Sequence, residues 1–415
     1  MTTTTKTRTR AKALRTVDED VGAKTLAHIH QRLLIDEAWT DRRELGFTWW
    51  AHRLAQHIDA GLPVDDDGVV LTRITSRIPV VTNVKAPAER VVTILAALNL
   101  LADCYCYVYD PQAQRIDSVQ SGIVHAQTLD WRADLLASYF MIQLIHAEQD
   151  ANYLARTLRG RAARSKHPAE GRRNEADDML NVIDAVFMCS GVPQNPFTNA
   201  FEFESISELV NRINAVSLGA SHDAVAIEVP FADATAMITL DARHPHPRLG
   251  PGLAIRLHLP NQIDFQQGAD LAAWLNRKEA AGELLCHSLG AWSVRGDSDG
   301  DSSTVVHCAF VSAALWRSGL AMDAATGAIL KLRQLNALLY PGVPSVDVRH
   351  VVADRLARAM RQETEMDDSG PEVESAGEIH TVGGVKFIDE TKPGRFSAIE
   401  FDPNVVRSRK RRCDS

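Results

Sequence analysis

The sequence has few cysteines and lacks the C-x-x-C spacing that is typical of metal-binding and redox pairs. Six cysteines are spread over 415 residues, and no C-x-x-C motif occurs. Cys104 and Cys106 are too close in the chain to bridge across a strand. This pattern excludes a disulfide framework and predicts buried thiols in a reducing compartment.

Long apolar runs and a strong charge excess are also missing. No window approaches the roughly 20 apolar residues that a membrane span needs. The opening residues, "MTTTTKTRTR", lack the apolar stretch of a signal peptide. The net charge of −8 gives no general argument for a nucleic-acid or membrane partner. We therefore expect a cytoplasmic protein with no membrane partner.

The common catalytic signatures are absent as well. The sequence contains no G-x-x-x-x-G-K-S/T phosphate loop, no G-x-S-x-G elbow and no H-E-x-x-H. The segment "GPGLAI" has two glycines but no third, and it opens a strand, which argues against a dinucleotide site. We predict no catalytic residues and no cofactor. An enzyme whose site is assembled from residues distant in the sequence stays open as an alternative.

Two segments resemble metal-binding loops in composition only. "DARHPHPRLGPG" brings Asp241, His244 and His246 together, but its prolines indicate a rigid connection between strands, and zinc needs further ligands. "DSDGD" at 297–301 lacks the glutamate that completes a calcium loop and is typical of a hairpin turn. No metal site is predicted.

The clearest pattern in the chain is a module at 176–345. It begins with a predicted helix at 203–219 and continues with strands at 224–231, 235–242 and 252–260. A helix at 266–282, two strands at 283–294 and 303–312, and a long helix at about 311–340 follow. In the strand at 252–260, Leu253, Ile255, Leu257 and Leu259 alternate with smaller or polar residues, which indicates a half-buried strand.

The region 21–160 has a related order of elements. We predict a helix at 45–61, with Phe47, Trp50, Leu54 and Ile58 on one face. A strand at 68–81, a helix at 87–103, strands at 104–110 and 115–126 and a helix at 128–155 follow. The fold class is therefore α+β, with two tandem modules whose antiparallel sheets carry helices mainly on one face.

The remaining segments are predicted to be connections and tails. Residues 1–20 are expected to be disordered, 161–175 to form a basic linker, and 346–378 to form a helix end and an acidic linker. Residues 379–415 are expected to contain a hairpin followed by the basic tail "RSRKRRCDS".

Three tyrosines alternate along the strand "CYCYVYD" and share one of its faces. Tyr105, Tyr107 and Tyr109 can bury a ring while keeping the hydroxyl near water. They suit the second module of the same chain, an external peptide surface, or stacked nucleobases. On the predicted helix at 45–61, Trp49 points about 100° away from Trp50. It suits either edge packing or a partner-binding surface.

The block at 199–340 resembles the type III secretion chaperone and YbjN-like superfamily. The resemblance is carried by the helix "FESISELVNRINAVSLG", the strands "AVAIEV", "AMITLDA" and "LAIRLHL", the helix "GADLAAWLNRKEA", and the closing strand pair and helix. These follow the order α-β-β-β-α-β-β-α. The resemblance implies modules that dimerise and bind extended peptide segments, without catalytic residues. It implies here an internal pseudo-dimer or a homodimer.

We therefore expect a non-enzymatic chaperone or adaptor that binds a client protein or peptide. The candidate peptide-binding residues are Trp49, Tyr105, Tyr107, Tyr109, Arg256 and His258. The alternative is a nucleic-acid-associated regulator that uses the basic linker and the cations at 407–412.

Overall fold

The computed structural model describes most of the chain between residues 21 and 340, together with a short hairpin. The described residues are 21–66, 69–101, 104–180, 195–197, 216–220, 223–232, 234–247, 249–260, 263–283, 289–296, 303–315, 320–340, 379–382 and 385–388. The chain divides into two compact units, Met1–Trp316 with Ala321–Val346, and Arg317–Leu320 with Asp347–Ser415. Both large sheets belong to the first unit. No helix among the described residues is long and apolar enough to cross a membrane.

The first half of that unit, residues 21–180, contains an antiparallel sheet and three helices. Its strands are β1 (Thr40–Arg43), β2 (Gly46–Trp49), β3 (Gln56–Ala60), β4 (Val64–Asp66), β5 (Val69–Thr82), β6 (Cys106–Asp110), β7 (Arg115–Val124) and β8 (Arg161–Ala162). Its helices are α1 (21–32), α2 (Ala88–Asn99) and α3 (Leu129–Thr157). The main strand order is β1-β2-β3-β5-β7-β6, and both β4 and β8 also pair with β5.

The second half, residues 216–340, repeats this plan. Its strands are β9 (Val216–Ala220), β10 (Ala224–Phe231), β11 (Ala234–Asp241), β12 (Gly252–His258), β13 (Ala291–Gly296) and β14 (Ser303–Ser312). Its helices are α4 (Phe265–Ala280) and α5 (Leu320–Leu339). The strand order is β13-β14-β12-β11-β10-β9. In each half, an antiparallel run of four strands leads to a helix, a hairpin and a final helix. The α+β class with antiparallel sheets is confirmed.

The predicted helix at 45–61 is wrong, because this segment forms β2 and β3. Phe47 and Ile58, which share one face of the predicted helix, lie directly opposite each other across the two strands. Trp49 pairs with Thr40 of β1 on one side and with Gln56 of β3 on the other. The apolar spacing fits a helix in isolation, but the pairing with β1 and β5 selects strands.

The predicted helix at 203–219 is wrong at its end, since Val216–Ala220 forms β9; residues 203–215 lie outside the described residues. With β9, the second half has four strands before its middle helix, as the main sheet of the first half has in β1, β2, β3 and β5. The long final helix is shorter than predicted. Strand β14 continues to Ser312, and α5 begins at Leu320.

The basic segment at 161–175 is not a linker. Strand β8 pairs with the end of β5, and the Ser165 amide donates to the Arg53 carbonyl oxygen at 2.9 Å. Arg173 donates to the Trp50 carbonyl oxygen at 2.9 Å. These hydrogen bonds fix the segment on the first half. In the second unit, β15 (Ile379–Val382) and β16 (Val385–Ile388) pair antiparallel and confirm the predicted hairpin. The predictions for 1–20, 297–301 and 346–378 lie outside the described residues.

The two halves pack against each other through the same elements. Helix α2 of the first half packs on β13 of the second, while α4 of the second packs on β6 of the first, and α2 contacts α4. The Ser293 hydroxyl on β13 donates to the Ala96 carbonyl oxygen on α2 at 2.5 Å. Cys106, Val108 and Val119 of the first half form one buried apolar cluster with Ala291 of the second. The contact is therefore reciprocal.

An asparagine holds the hairpin to the middle helix in both halves. The Asn99 side chain donates to the Tyr107 carbonyl oxygen at 3.0 Å and accepts from the Tyr107 amide at 2.7 Å. The Asn276 side chain makes the same two bonds with Trp292, each at 2.8 Å. Tyr107 and Trp292 are each the second residue of the first hairpin strand. This repeated contact gives a residue-by-residue correspondence between the halves.

Candidate functional site

The tyrosines predicted as partner contacts are buried within the first half. Tyr105, Tyr107 and Tyr109 are exposed to 1%, 2% and 8% of their surface. The Tyr107 hydroxyl donates to Asp150 of α3 at 2.8 Å, and the Tyr105 ring lies 5.6 Å from the His146 ring of the same helix. The expected exposure is wrong, because α3 covers this face of β6. The opposite face, with Cys106 and Val108, meets the second half.

Trp49 is also removed from any external surface. Its side chain is fully buried in β2. We expected Trp49 to be exposed because it would point about 100° away from Trp50 on a helix. The segment forms a strand, so this helical geometry does not apply. Trp50 is buried as predicted, at 6% exposure, and its ring nitrogen donates to the Ser165 hydroxyl at 3.1 Å.

Arg256 and His258 remain as candidates, because both are half-buried on the outward side of β12. Their neighbours across the sheet on this side are Thr239 and Met237 of β11 and Cys308 and Val306 of β14. On this side of the sheet, helix α2 of the first half covers β13, which is the edge strand. The surface around Arg256 and His258 stays accessible at the β11–β12 part of the sheet.

Arg295 of β13 completes a group that we call the cationic face, formed by Arg256, His258 and Arg295. Burial lowers the pKa of His258 first, and the charges of Arg295 and Arg256 lower it further. Within the described part of the chain, neither arginine has a carboxylate partner. Sequence reasoning missed Arg295, although the period of two in "AWSVRG" places it on the same side as Ser293.

The correspondence between the halves shows what is unusual about this face. Arg77 of β5 lies opposite Val119 of β7, as Arg256 of β12 lies opposite Cys308 of β14. Val119 in turn pairs with Cys106, and Cys308 pairs with Ala291. Cys106 directly precedes Tyr107, and Ala291 directly precedes Trp292, the two residues that the asparagines bind. The two hairpins therefore correspond position by position. Arg77 and Arg256 are therefore equivalent.

The first half pairs two arginines with Asp117, whose position in the second half is taken by a valine. Arg77 and Arg115 both bind the buried carboxylate of Asp117, each at 2.8 Å. Arg77 also donates to the Ala280 carbonyl oxygen at the end of α4, at 3.4 Å. Val306 occupies in the second half the position that Asp117 occupies in the first. Arg295 likewise occupies the position of Asp110. Two arginines thus share one carboxylate on the first face, whereas on the cationic face neither guanidinium has a carboxylate partner within the described residues.

A second charged cluster lies inside the second half, between α4, α5 and the sheet. The Lys331 ammonium contacts both Glu279 oxygens at 2.9 and 3.0 Å and donates to His307 Nε2 at 2.8 Å. The Trp292 ring nitrogen donates to Glu279 at 2.6 Å. Burial, followed by the charge of Lys331, holds the pKa of His307 well below its usual range. The side chains of Lys331 and Glu279 are only 4% and 2% exposed, so the cluster joins core elements.

The histidine-rich turn uses its polar groups internally. Asp241 binds the Arg243 guanidinium at 2.8 Å, which lowers the pKa of that carboxyl to about 2. His246 Nδ1 accepts from the Leu249 amide at 3.0 Å, and Nε2 lies 3.1 Å from the Leu101 carbonyl oxygen. Among the described residues, no group of three or more His, Cys, Asp or Glu side chains could hold a metal ion.

Comparison of the chain with known protein families, characterised proteins and solved structures finds no match. A guanidinium group presents a planar fork of donors that fits a carboxylate or a phosphate. Two such groups beside a half-buried imidazole supply donors of the kind that an anionic ligand needs.

Proposed function

We propose that this protein is a non-enzymatic adaptor or chaperone that binds an acidic segment of a client protein on the cationic face. The observation that carries the proposal is the difference between the two equivalent faces. Arg77 is neutralised by Asp117, whereas Arg256 has Val306 in that position and no carboxylate partner among the described residues. An arginine that is half removed from water, as Arg256 is, favours a ligand that brings a carboxylate.

The packing of the halves supports the same proposal. The second half resembles the type III secretion chaperone and YbjN-like superfamily in its order of elements, and that resemblance implies paired modules that bind extended peptides. The reciprocal contacts of α2 with β13 and of α4 with β6 fit an internal pseudo-dimer within one chain. An extended peptide on a sheet surface can use side-chain pockets for specificity.

The test is recovery of client proteins from native cells with tagged full-length protein, with nuclease present. The double variant Arg256→Gln with Arg295→Gln is compared with Arg53→Gln with Lys85→Gln, which removes the same charge from exposed positions elsewhere. We expect a small set of acidic-segment clients to be retained by the wild type and by the control, and lost from the first variant.

Two results would overturn the proposal. One is equal recovery of the same proteins by all three forms, which would place the client surface elsewhere. The other is recovery only of partners that disappear with nuclease. Matching thermal unfolding of the three forms, measured beforehand, ensures that a loss of clients reports the surface and not the fold.

A further inference from the structure

The segment that follows α3 carries a row of cations on a rigid support. Six basic side chains in it are exposed, and we call them the basic segment: Arg156, Arg159, Arg161, Arg164, Lys166 and Arg172. They extend from the last turn of α3 through β8 and into the turn beyond. A similar row in a flexible linker would be an ordinary solvated stretch, but here the backbone is held.

The turn out of α3 is fixed by its backbone. Arg159 has a φ of 54°, and the Gly160 amide donates to the Ala155 carbonyl oxygen at 2.8 Å. This left-handed residue ends the helix and returns the chain to the sheet. At Gly160 a Cβ would lie 2.6 Å from Val81, so only glycine allows β8 to approach β5 this closely.

Aromatic packing holds the far end of the segment. The buried His167 ring lies edge-on to Trp50 at 4.9 Å and to Trp39 at 5.9 Å. The Arg173 guanidinium lies over the Trp39 ring at 5.2 Å. The cations between Arg159 and His167 are therefore displayed on a preformed backbone.

The cations of the basic segment have neutral partners or none in the described structure. Arg156 donates to the Asn152 carbonyl oxygen at 3.4 Å, and Arg164 donates to the Asn152 side chain at 3.2 Å. No carboxylate among the described residues forms an ion pair with any of the six. Tyr153, next to Asn152 on α3, is 51% exposed, and its ring is free at the surface. An exposed aromatic ring thus lies on the same turn of α3 as Asn152, to which Arg156 and Arg164 both donate.

We propose that the basic segment and Tyr153 bind single-stranded nucleic acid. The cations would contact phosphates along the preformed backbone, and the tyrosine ring would stack on a base. An acidic peptide would satisfy the charges but has no planar bases to use Tyr153. In a duplex the bases are already stacked on one another. This binding surface is separate from the cationic face and does not depend on the proposed client function.

The test is fluorescence anisotropy of a labelled single-stranded oligonucleotide with the full chain across a series of salt concentrations. Arg161→Gln with Lys166→Gln should weaken binding and lower the slope of log affinity against log salt by about 1.4, since each phosphate contact contributes about 0.7. Tyr153→Ala should weaken binding by about tenfold, and Tyr153→Phe should keep wild-type affinity because the stacking ring remains.

The matched control is Lys24→Gln with Arg43→Gln, which removes the same charge from exposed positions of α1 and β1 and should leave the affinity unchanged. A further arm neutralises the cations at 407–412, and binding sensitive to Tyr153 should persist there. The proposal is overturned if polyglutamate or duplex binds as tightly as the single strand, if Tyr153→Ala has no effect, or if only the 407–412 variant loses binding.

Discussion

Arg77 and Arg256 occupy equivalent positions in the two halves, and among the described residues only Arg77 forms an ion pair with an acid. Asp117 supplies that acid in the first half, where Arg115 shares it. Val306 replaces Asp117 in the second half, opposite Ser293 of β13. One architecture thus carries a sheet face whose arginines share an aspartate and a second face where a valine takes the place of that aspartate, and the difference can be tested by restoring a charge.

Placing an acid on the second face should block anion binding. Thr304 is half-buried and lies directly opposite Arg295, as Arg115 lies opposite Asp110 in the first half. Thr304→Glu should pair with Arg295 and lower the affinity for a polyglutamate peptide by about tenfold, measured by calorimetry. Thr304→Gln is the uncharged control and should bind like the wild type. Equal affinities for the two variants would contradict the charge argument.

The repeated asparagine contact should be important for stability in both halves. Asn276→Ala leaves the Trp292 amide and carbonyl without their partner, and Asn99→Ala does the same at Tyr107. We expect each change to lower the free energy of unfolding by roughly 2 to 5 kcal/mol, because buried backbone groups lose their hydrogen bonds. Denaturant unfolding measures the effect, with exposed Gln112→Ala as a control of small effect. A loss at only one asparagine would argue against equivalent roles.

Gln120 is a site where removal of a polar group should stabilise the protein. Its side chain is fully buried between β7 and α3, and neither amide atom has a hydrogen-bond partner. Gln120→Met keeps the volume and should raise the free energy of unfolding by about 1 to 2 kcal/mol. Gln143→Met is the matched comparison, because Gln143 donates to the Ser118 hydroxyl at 3.3 Å. Gln143→Met should lower the free energy of unfolding. A lower denaturation midpoint for Gln120→Met than for Gln143→Met would refute the argument.

Acid should weaken the fold through His307. The pKa of this residue is well below 6.5 in the folded protein and returns to about 6.5 on unfolding. The unfolded state therefore binds the proton first, and stability present above pH 6.5 is lost as the pH falls towards the folded pKa. The loss from one such histidine is about 1.4 kcal/mol at one pH unit below 6.5.

His307→Gln keeps an acceptor for Lys331 but cannot take up that proton. Denaturant midpoints of the wild type and the variant, measured on both sides of pH 6.5, should therefore show a smaller acid-induced loss for the variant. The lowered pKa of His258 acts in the same direction and remains in both proteins. Parallel pH profiles would mean that His307 is not responsible.

The sequence predicts most of the long elements because their periodicity is unambiguous. Strands β5, β7, β10, β11, β12 and β14 and helices α2, α3 and α4 lie close to their predicted positions. The prediction fails at 45–61. The spacing of Phe47 and Ile58 is compatible with one face of a helix and equally with two residues paired across neighbouring strands. Only the pairing with β1 and β5 decides between these structures, and that pairing is not encoded locally.

The candidate site was predicted in part for a related reason. Alternation separated Tyr107 from Cys106 correctly, but it does not say which side a helix covers, so the tyrosines were placed on the wrong surface. Arg256 and His258 were identified because β12 is strongly periodic. The duplication left a short signal, A-x-L-N, which occurs at Ala96–Asn99 and again at Ala273–Asn276. It marks the two asparagines that align the halves.

Because the two halves belong to one chain, they can differ in sequence while their packing stays reciprocal. In a dimer of identical subunits, every substitution appears twice, so an acid beside one arginine would appear beside the other as well. In this chain Asp117 and Val306 were free to diverge while α2 and α4 kept the same contacts. The proposed client site therefore occurs once per chain, so calorimetry should give one polyglutamate peptide bound on the cationic face without cooperativity between the two faces.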